Sequence, residues 1–74
     1  MNKNFYKKLG LSIKKLRNQR NLTQQQLADK IGIGLNFMGK IEVAFSKPST
    51  DTIIKIADAL NVTVSDLINF KHSK

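Results

Sequence analysis

The sequence predicts an all-α fold, on three observations. Apolar residues recur every three or four positions along nearly the whole chain, the spacing of a helix with one buried face. No segment sustains the period-two alternation of a half-buried strand. The apolar runs also begin after side chains suited to cap a helix and end near asparagine or glycine.

The elements follow in order. Phe5, Leu9, Ile13 and Leu16 lie along one face of a first helix, and Asn21 stands where it should stop, because asparagine tolerates the left-handed conformation of a helix end. Thr23 caps the second helix and Gln26, three residues on, can reach back to the Thr23 amide, a reciprocal capping box. Leu22 can pack on Leu27 as a hydrophobic staple, and Leu27, Ala28 and Ile31 form the second apolar stripe. Gly32 supplies the positive φ that a sharp turn needs without steric cost. Ile33 then tucks inward, and Met38 and Ile41 face the core from a third helix over about 34–42. Ser49 caps the fourth helix, with Pro48 just outside it, and Ile53, Ile56, Ala57 and Leu60 are its buried face. Asn61 ends it. Thr63 and Asp66 repeat the capping pattern, with Val62 before them and Val64, Leu67 and Ile68 as the apolar positions of a fifth helix.

Composition narrows what such a bundle can do. The 74 residues suffice for one domain, expected over 1–74 with a core of 5–70 and a polar tail at 71–74 in which His72 has no assigned role. Without cysteine there are no disulfides or thiolate metal sites, which suits a reducing cytoplasm. Met1 to Tyr6 hold no apolar run like a signal peptide, and no stretch nears the roughly 20 apolar residues that span a membrane. Carboxylates are scattered singly, no nucleophile has a base partner, and no glycine-rich phosphate loop or metal-ligand cluster exists. The expectation is therefore a protein that is not an enzyme and takes no cofactor, metal or small-molecule substrate.

The formal net charge of +8 favours an anionic partner. Seven basic residues, Lys3, Lys7, Lys8, Lys14, Lys15, Arg17 and Arg20, fall in the first 20 positions with no acid among them. A membrane surface would need the apolar face of the first helix, and that face is more economically spent on the core.

The stretch TQQQLADKIGIGLNFMGKIE, Thr23 to Glu42, reads as a short helix, a tight turn at Gly32 and a second short helix. Small Ala28 allows a close helix crossing. These are the steric requirements of a helix-turn-helix, whose second helix enters the DNA major groove. With LGLSIKKLRNQRNLTQQQLADKIGI before it, then KIE and KPSTDTIIKIADALNVTVSDLI, the chain resembles the lambda-repressor-like (XRE-type) helix-turn-helix family, which includes phage repressors, Cro proteins and restriction–modification controllers. The resemblance covers about Leu9 to Ile68. It implies a bundle of about five helices and a dimeric regulator of transcription, a repressor by expectation, on an inverted-repeat double-stranded DNA operator. It also implies a bacterial or phage-encoded cytoplasmic protein.

Residue by residue, the resemblance places Gln24 at the start of the second helix against a phosphate, where free amides and the positive helix end attract anions. It matches Gly34, Leu35, Asn36, Gly39 and Lys40 to base readers, and Arg17 and Glu42 to a structural ion pair. Losing one partner of such a pair costs about 3 kcal/mol. Ser46 and Lys47, just ahead of the fourth helix, are suited to phosphate.

The chain departs from its relatives in having glycine or leucine at 34, 35 and 39, where Ser, Thr, Arg or Gln often stand. Gly39 costs its helix about 1 kcal/mol relative to alanine. On this reading the glycines let the helix backbone sit close to DNA, and Asn36 contacts adenine. Lys40 reaches guanine or phosphate, and Leu35 packs on a thymine methyl. Ala44 stands where relatives often have glycine, and Phe45 is expected to fold onto the core edge. In the fifth helix Leu67 points inward, leaving Ile68 and Phe70 as the expected dimer interface. The alternative is an antitoxin-like or adaptor module of the same fold, in which the third helix reads DNA poorly.

Overall fold

Five helices form in the expected order in a computed structural model that describes residues 3–70: α1 (Lys3–Gln19), α2 (Gln24–Ile31), α3 (Leu35–Glu42), α4 (Thr50–Ala59) and α5 (Val64–Ile68). The tail at 71–74, with His72, lies outside the described residues. Among those residues there is no strand, and no helix is long and apolar enough to cross a membrane.

Side-chain caps set the starts. In α2 the Gln26 amide donates to the Thr23 hydroxyl (3.0 Å), and the Thr23 amide donates to the Gln26 side-chain oxygen (2.8 Å). Thr63 and Asp66 close the same box at α5, at 2.9 and 3.2 Å. The Ser49 hydroxyl accepts from the Thr52 amide at α4. Gly34 occupies the α3 N-cap with an extended backbone and no side chain to offer.

The ends share one device. After α1, α2, α3 and α4 the chain passes through a left-handed residue: Asn21 (φ 58°), Gly32 (74°), Ala44 (63°) and Asn61 (59°). Each time the next amide reaches back to a carbonyl of the last turn, as from Leu22 to Arg17 (3.1 Å) and from Phe45 to Lys40 (2.8 Å). These are Schellman closures, which satisfy helix-end carbonyls. Ala44 is the one closure whose left-handed residue is neither glycine nor asparagine.

α1 lies across α3 and α5, α2 packs on α3 and α4, and α4 on α5. Leu9, Ile13, Leu16, Leu27, Ala28, Met38, Ile41, Ile56, Ala57, Leu60 and Leu67 make the buried core. Phe5, Leu22, Ile31, Ile33, Phe37, Ile53, Val62 and Val64 flank it. Polar ties brace it: inside, the Ser12 hydroxyl donates to the Leu67 carbonyl (2.7 Å), and at its edge Arg20 Nε donates to the Leu60 carbonyl (2.6 Å). Gly10 makes a close crossing. A Cβ there would collide with the Glu42 carbonyl and lie 2.8 Å from the Ile41 carbonyl oxygen, so α1 rests directly on the α3 backbone.

One expectation is corrected. Phe45 does not fold onto the core edge; it stands 77% exposed. The closure through Ala44 commits the Phe45 amide to Lys40 and leaves the ring outside, beside the Lys40 ammonium at 5.6 Å.

Candidate functional site

The turn between α2 and α3 is built by Ala28, fully buried at the crossing, and Gly32, whose positive φ lets the Ile33 amide close on the Ala28 carbonyl (3.0 Å). Met38 and Ile41 then hold α3 against the core, with Phe37 half-buried beside them. Because successive residues turn by about 100°, the opposite side of α3 presents Leu35, Gly39, Val43, Asn36 and Lys40 within an arc of about 140°. Leu35, Asn36, Lys40 and Val43 are exposed, and Gly39 is half-buried beside the α2 start, its ideal Cβ position 3.7 Å from Gln24 Oε1. Leu35, Asn36, Gly39 and Lys40 thus come together on one surface, and Gly34 adjoins them as the N-cap.

An ion-pair network sets the angle of this surface to α1. Arg17 Nε donates to Glu42 Oε2 (2.7 Å) and Nη2 to Oε1 (3.1 Å), while Nη1 donates to the Leu22 carbonyl (2.8 Å) and to Asn18 Oδ1 (3.2 Å). Both ionised side chains are buried, so each depends on the other for its charge compensation. The Gln24 side-chain amide donates to Glu42 Oε1 (3.0 Å), which adds the start of α2 to the end of α1 and the end of α3. A carboxylate only accepts, so this bond uses one Gln24 N–H and leaves a second. The first-turn amides of α2 have no carbonyl inside the helix to bond, which makes this end attractive to an anion.

Lysines surround the surface. Lys7 and Lys14 of α1 line a shallow depression of about 280 Å³ with Leu11, Gln24, Glu42 and Val43. Lys47 reaches over the Tyr6 ring at 5.5 Å, exposed, and Ser46 is half-buried with its amide on the Lys40 carbonyl. Of the five acidic residues, Glu42 is neutralised by Arg17. The other four, Asp29, Asp51, Asp58 and Asp66, lie on the later part of α2, on α4 and on α5. The surface around α3 is therefore the cationic side of the molecule. Val43 also adjoins that surface; it lies one residue beyond the Thr23–Glu42 stretch, and helical phase is the only sequence signal that places it there.

On α5, Ile68 is 38% exposed. Phe70 turns back on its own chain, its ring 5.8 Å from that of Phe5 and under the Lys8 ammonium at 5.9 Å. Among the described residues no group of three or more His, Cys, Asp or Glu is placed to hold a metal.

Comparison with known proteins sets this geometry in context. A family model described as helix-turn-helix matches residues 13–67. The chain is 43% identical over 56 residues to the cryptic phage CTXphi transcriptional repressor RstR of Vibrio cholerae, covering 72% of this chain and 50% of that protein. It is 33% identical over 60 residues to the control protein C.SmaI of Serratia marcescens, covering 81% of this chain and 71% of that one. Among solved structures, the restriction-modification controller protein C.AhdI from Aeromonas hydrophila superposes with a TM-score of 0.81 at 29% identity, covering 84% of this chain and 94% of that chain. The chain spans about half the length of the first curated relatives it matches, 50% and 47% for two of them.

Proposed function

This chain belongs to the helix-turn-helix family, and we propose that it binds double-stranded DNA in a sequence-specific manner as a dimeric transcriptional regulator, a repressor acting in the cytoplasm. The observation that carries the proposal is the outward arc of α3, clear of the core and ringed by lysines, with the anion-attracting start of α2 beside it. A helix presented in this way fits the major groove. Asn36 pairs with adenine, Lys40 reaches guanine or phosphate, and Leu35 meets a thymine methyl. Gly34 and Gly39 let the backbone approach. Gln24, through its second N–H and the α2 amides, holds a phosphate, as do Ser46 and Lys47 on the far side of α3. A single module makes few base contacts, so a homodimer reading an inverted-repeat operator supplies useful affinity. Its contact is centred on exposed Ile68 and takes in the outer edge of Phe70.

Selection from a random DNA library at about 150 mM salt, where non-specific binding is already weakened, tests the proposal. The expected result is an enriched site with two inverted half-sites about one helical turn apart. Asn36→Ala then costs about 1–3 kcal/mol at one base pair and relaxes preference there, measured by competition with single-base operator variants. A uniform loss for all sequences would make Asn36 a backbone contact. The sparse polar side chains on the arc favour one second reading, an adaptor or antitoxin-like module, and a folded protein that enriches no site would put it first.

A further inference from the structure

The closures after α1, α2 and α4 each turn an apolar residue back onto the molecule. Leu22, Ile33 and Val62 follow the left-handed residue, donate to the carbonyls of Arg17, Ala28 and Ala57, and pack against the core. A Schellman closure favours such a side-chain contact across its two ends. The closure after α3 has the same backbone and a different outcome. Phe45 takes the equivalent position, and its amide and that of Ser46 both donate to the Lys40 carbonyl (2.8 and 3.2 Å). The ring stays in solvent, and the Lys40 ammonium lies over it, 5.6 Å from the centroid. The two side chains that meet belong to the same two residues that the closure joins through the backbone, so the turn itself sets their pairing.

We infer that Phe45 is a positioning residue for Lys40, holding its ammonium at the end of α3 for a DNA phosphate; this rests on the DNA-binding function proposed above and assigns Lys40 to the backbone instead of to guanine. A lysine loses rotamer freedom when it binds, and a ring that already holds it removes part of that cost. The ring attracts the cation through its face without neutralising it. On α4, by contrast, Lys55 meets the Asp51 carboxylate at 3.4 Å. Glu42, the acid in the same turn as Lys40, is committed to Arg17, so the Lys40 charge stays available to a polyanion. Direction decides for phosphate. In a helix-turn-helix the N-terminal residues of the recognition helix reach the base edges. Lys40 sits in the last turn, and Phe45 draws its ammonium toward the loop that carries Ser46 and Lys47. Lys47 is held by the same device, over the Tyr6 ring at 5.5 Å.

The pair is read first without DNA, by NMR of the full chain. The ring should shift the Lys40 ε-methylene protons upfield, and Phe45→Leu should return them to the position of an ordinary lysine; no ring shift in the parent chain overturns the inference whatever DNA does. With the selected operator, Phe45→Leu should weaken binding about two- to tenfold for each half-site, the effect of having to order one lysine side chain. Phe45→Tyr, which keeps the ring face, should bind as the parent does. Lys40→Ala should weaken every single-base operator variant alike and lower the salt slope by about 1 for each half-site. Because Phe45 acts through Lys40, Phe45→Leu should have no further effect in the Lys40→Ala chain. Both side chains are exposed, so unchanged thermal melts will show that the variants remain folded. Unchanged affinity in Phe45→Leu, or a full loss that persists in the Lys40→Ala chain, overturns the positioning role. A Lys40→Ala loss confined to one base pair makes Lys40 a base reader and overturns the phosphate assignment. All three leave the DNA-binding function standing. Failure of the folded chain to enrich any operator overturns that function and this inference with it.

Discussion

At the scale of single residues, Gly10 and Ala44 are opposite cases, one where a Cβ would introduce strain and one where a Cβ already bears it. Gly10 faces backbone carbonyls of Glu42 and Ile41, which cannot rotate away as a side chain could. On an exposed helix face Gly→Ala gains about 1 kcal/mol, but here overpacking dominates, and Gly10→Ala should lower stability by about 2 kcal/mol. Urea unfolding with an unchanged m-value is the check; a higher midpoint would mean that α1 can shift freely on α3. Ala44 is the reverse case, an L-residue held at φ 63°. The left-handed conformation costs such a residue about 1–2 kcal/mol, part of which the greater unfolded-state freedom of glycine offsets. Ala44→Gly should therefore raise stability by about 0.5–1 kcal/mol, seen as a higher melting temperature.

At the scale of elements, α3 holds together with weak local means. It is short, its N-cap has no side chain, and Gly39 lies in its interior. Its position comes from Met38 and Ile41 in the core and from the Arg17–Glu42–Gln24 network at its end. A helix held from outside can spare its exposed face for recognition. Gly39 tests this division, since a Cβ there meets nothing closer than Gln24 Oε1 at 3.7 Å. Gly39→Ala should stabilise the fold by about 0.5–1 kcal/mol while weakening operator binding, with thermal melting and DNA titration moving in opposite directions. Gains in both would show that DNA does not approach the α3 backbone at this point.

At the scale of the whole molecule, charge and apolar exposure divide the surface into two sides. Lys7, Lys14, Lys40 and Lys47 border the α3 surface with no acid other than the paired Glu42, whereas Asp29, Asp51, Asp58 and Asp66 sit on α2, α4 and α5, where Lys30 and Lys55 accompany them. Such asymmetry orients the molecule toward a polyanion before contact. Ile68 lies on α5, away from the α3 arc, so self-association there leaves the reading face open. If the proposed dimer forms through this surface, Ile68→Asp should convert it to a monomer in sedimentation at micromolar concentration and weaken operator binding more than tenfold, because one half-site then binds without the other. A dimer unchanged by the substitution would move the contact elsewhere, and a monomeric parent chain would overturn the proposed dimer.

The helix boundaries were legible in the sequence because caps and closures act between residues a few positions apart. Thr23 with Gln26, Thr63 with Asp66, and the left-handed stops at Asn21, Gly32 and Asn61 all behave as their local chemistry dictates. The core face of each helix was equally legible, since burial follows the 3.6-residue period. What the sequence could not reveal depends on helices meeting across long separations. Gly10 is ordinary within α1 and becomes necessary only where α3 crosses it, and Ser12 acquires a partner 55 residues away. Phe45 is a local case: its exposure follows from a left-handed closure at Ala44, a residue that does not announce that conformation as glycine or asparagine would. By itself the sequence determined which segments are helices and which side of each is apolar, because these are short-range properties of hydrogen bonding and periodicity. Only the tertiary structure decided which backbones touch, which polar groups pair across the core, and how far the outward face of α3 extends, because those depend on how rigid elements stack.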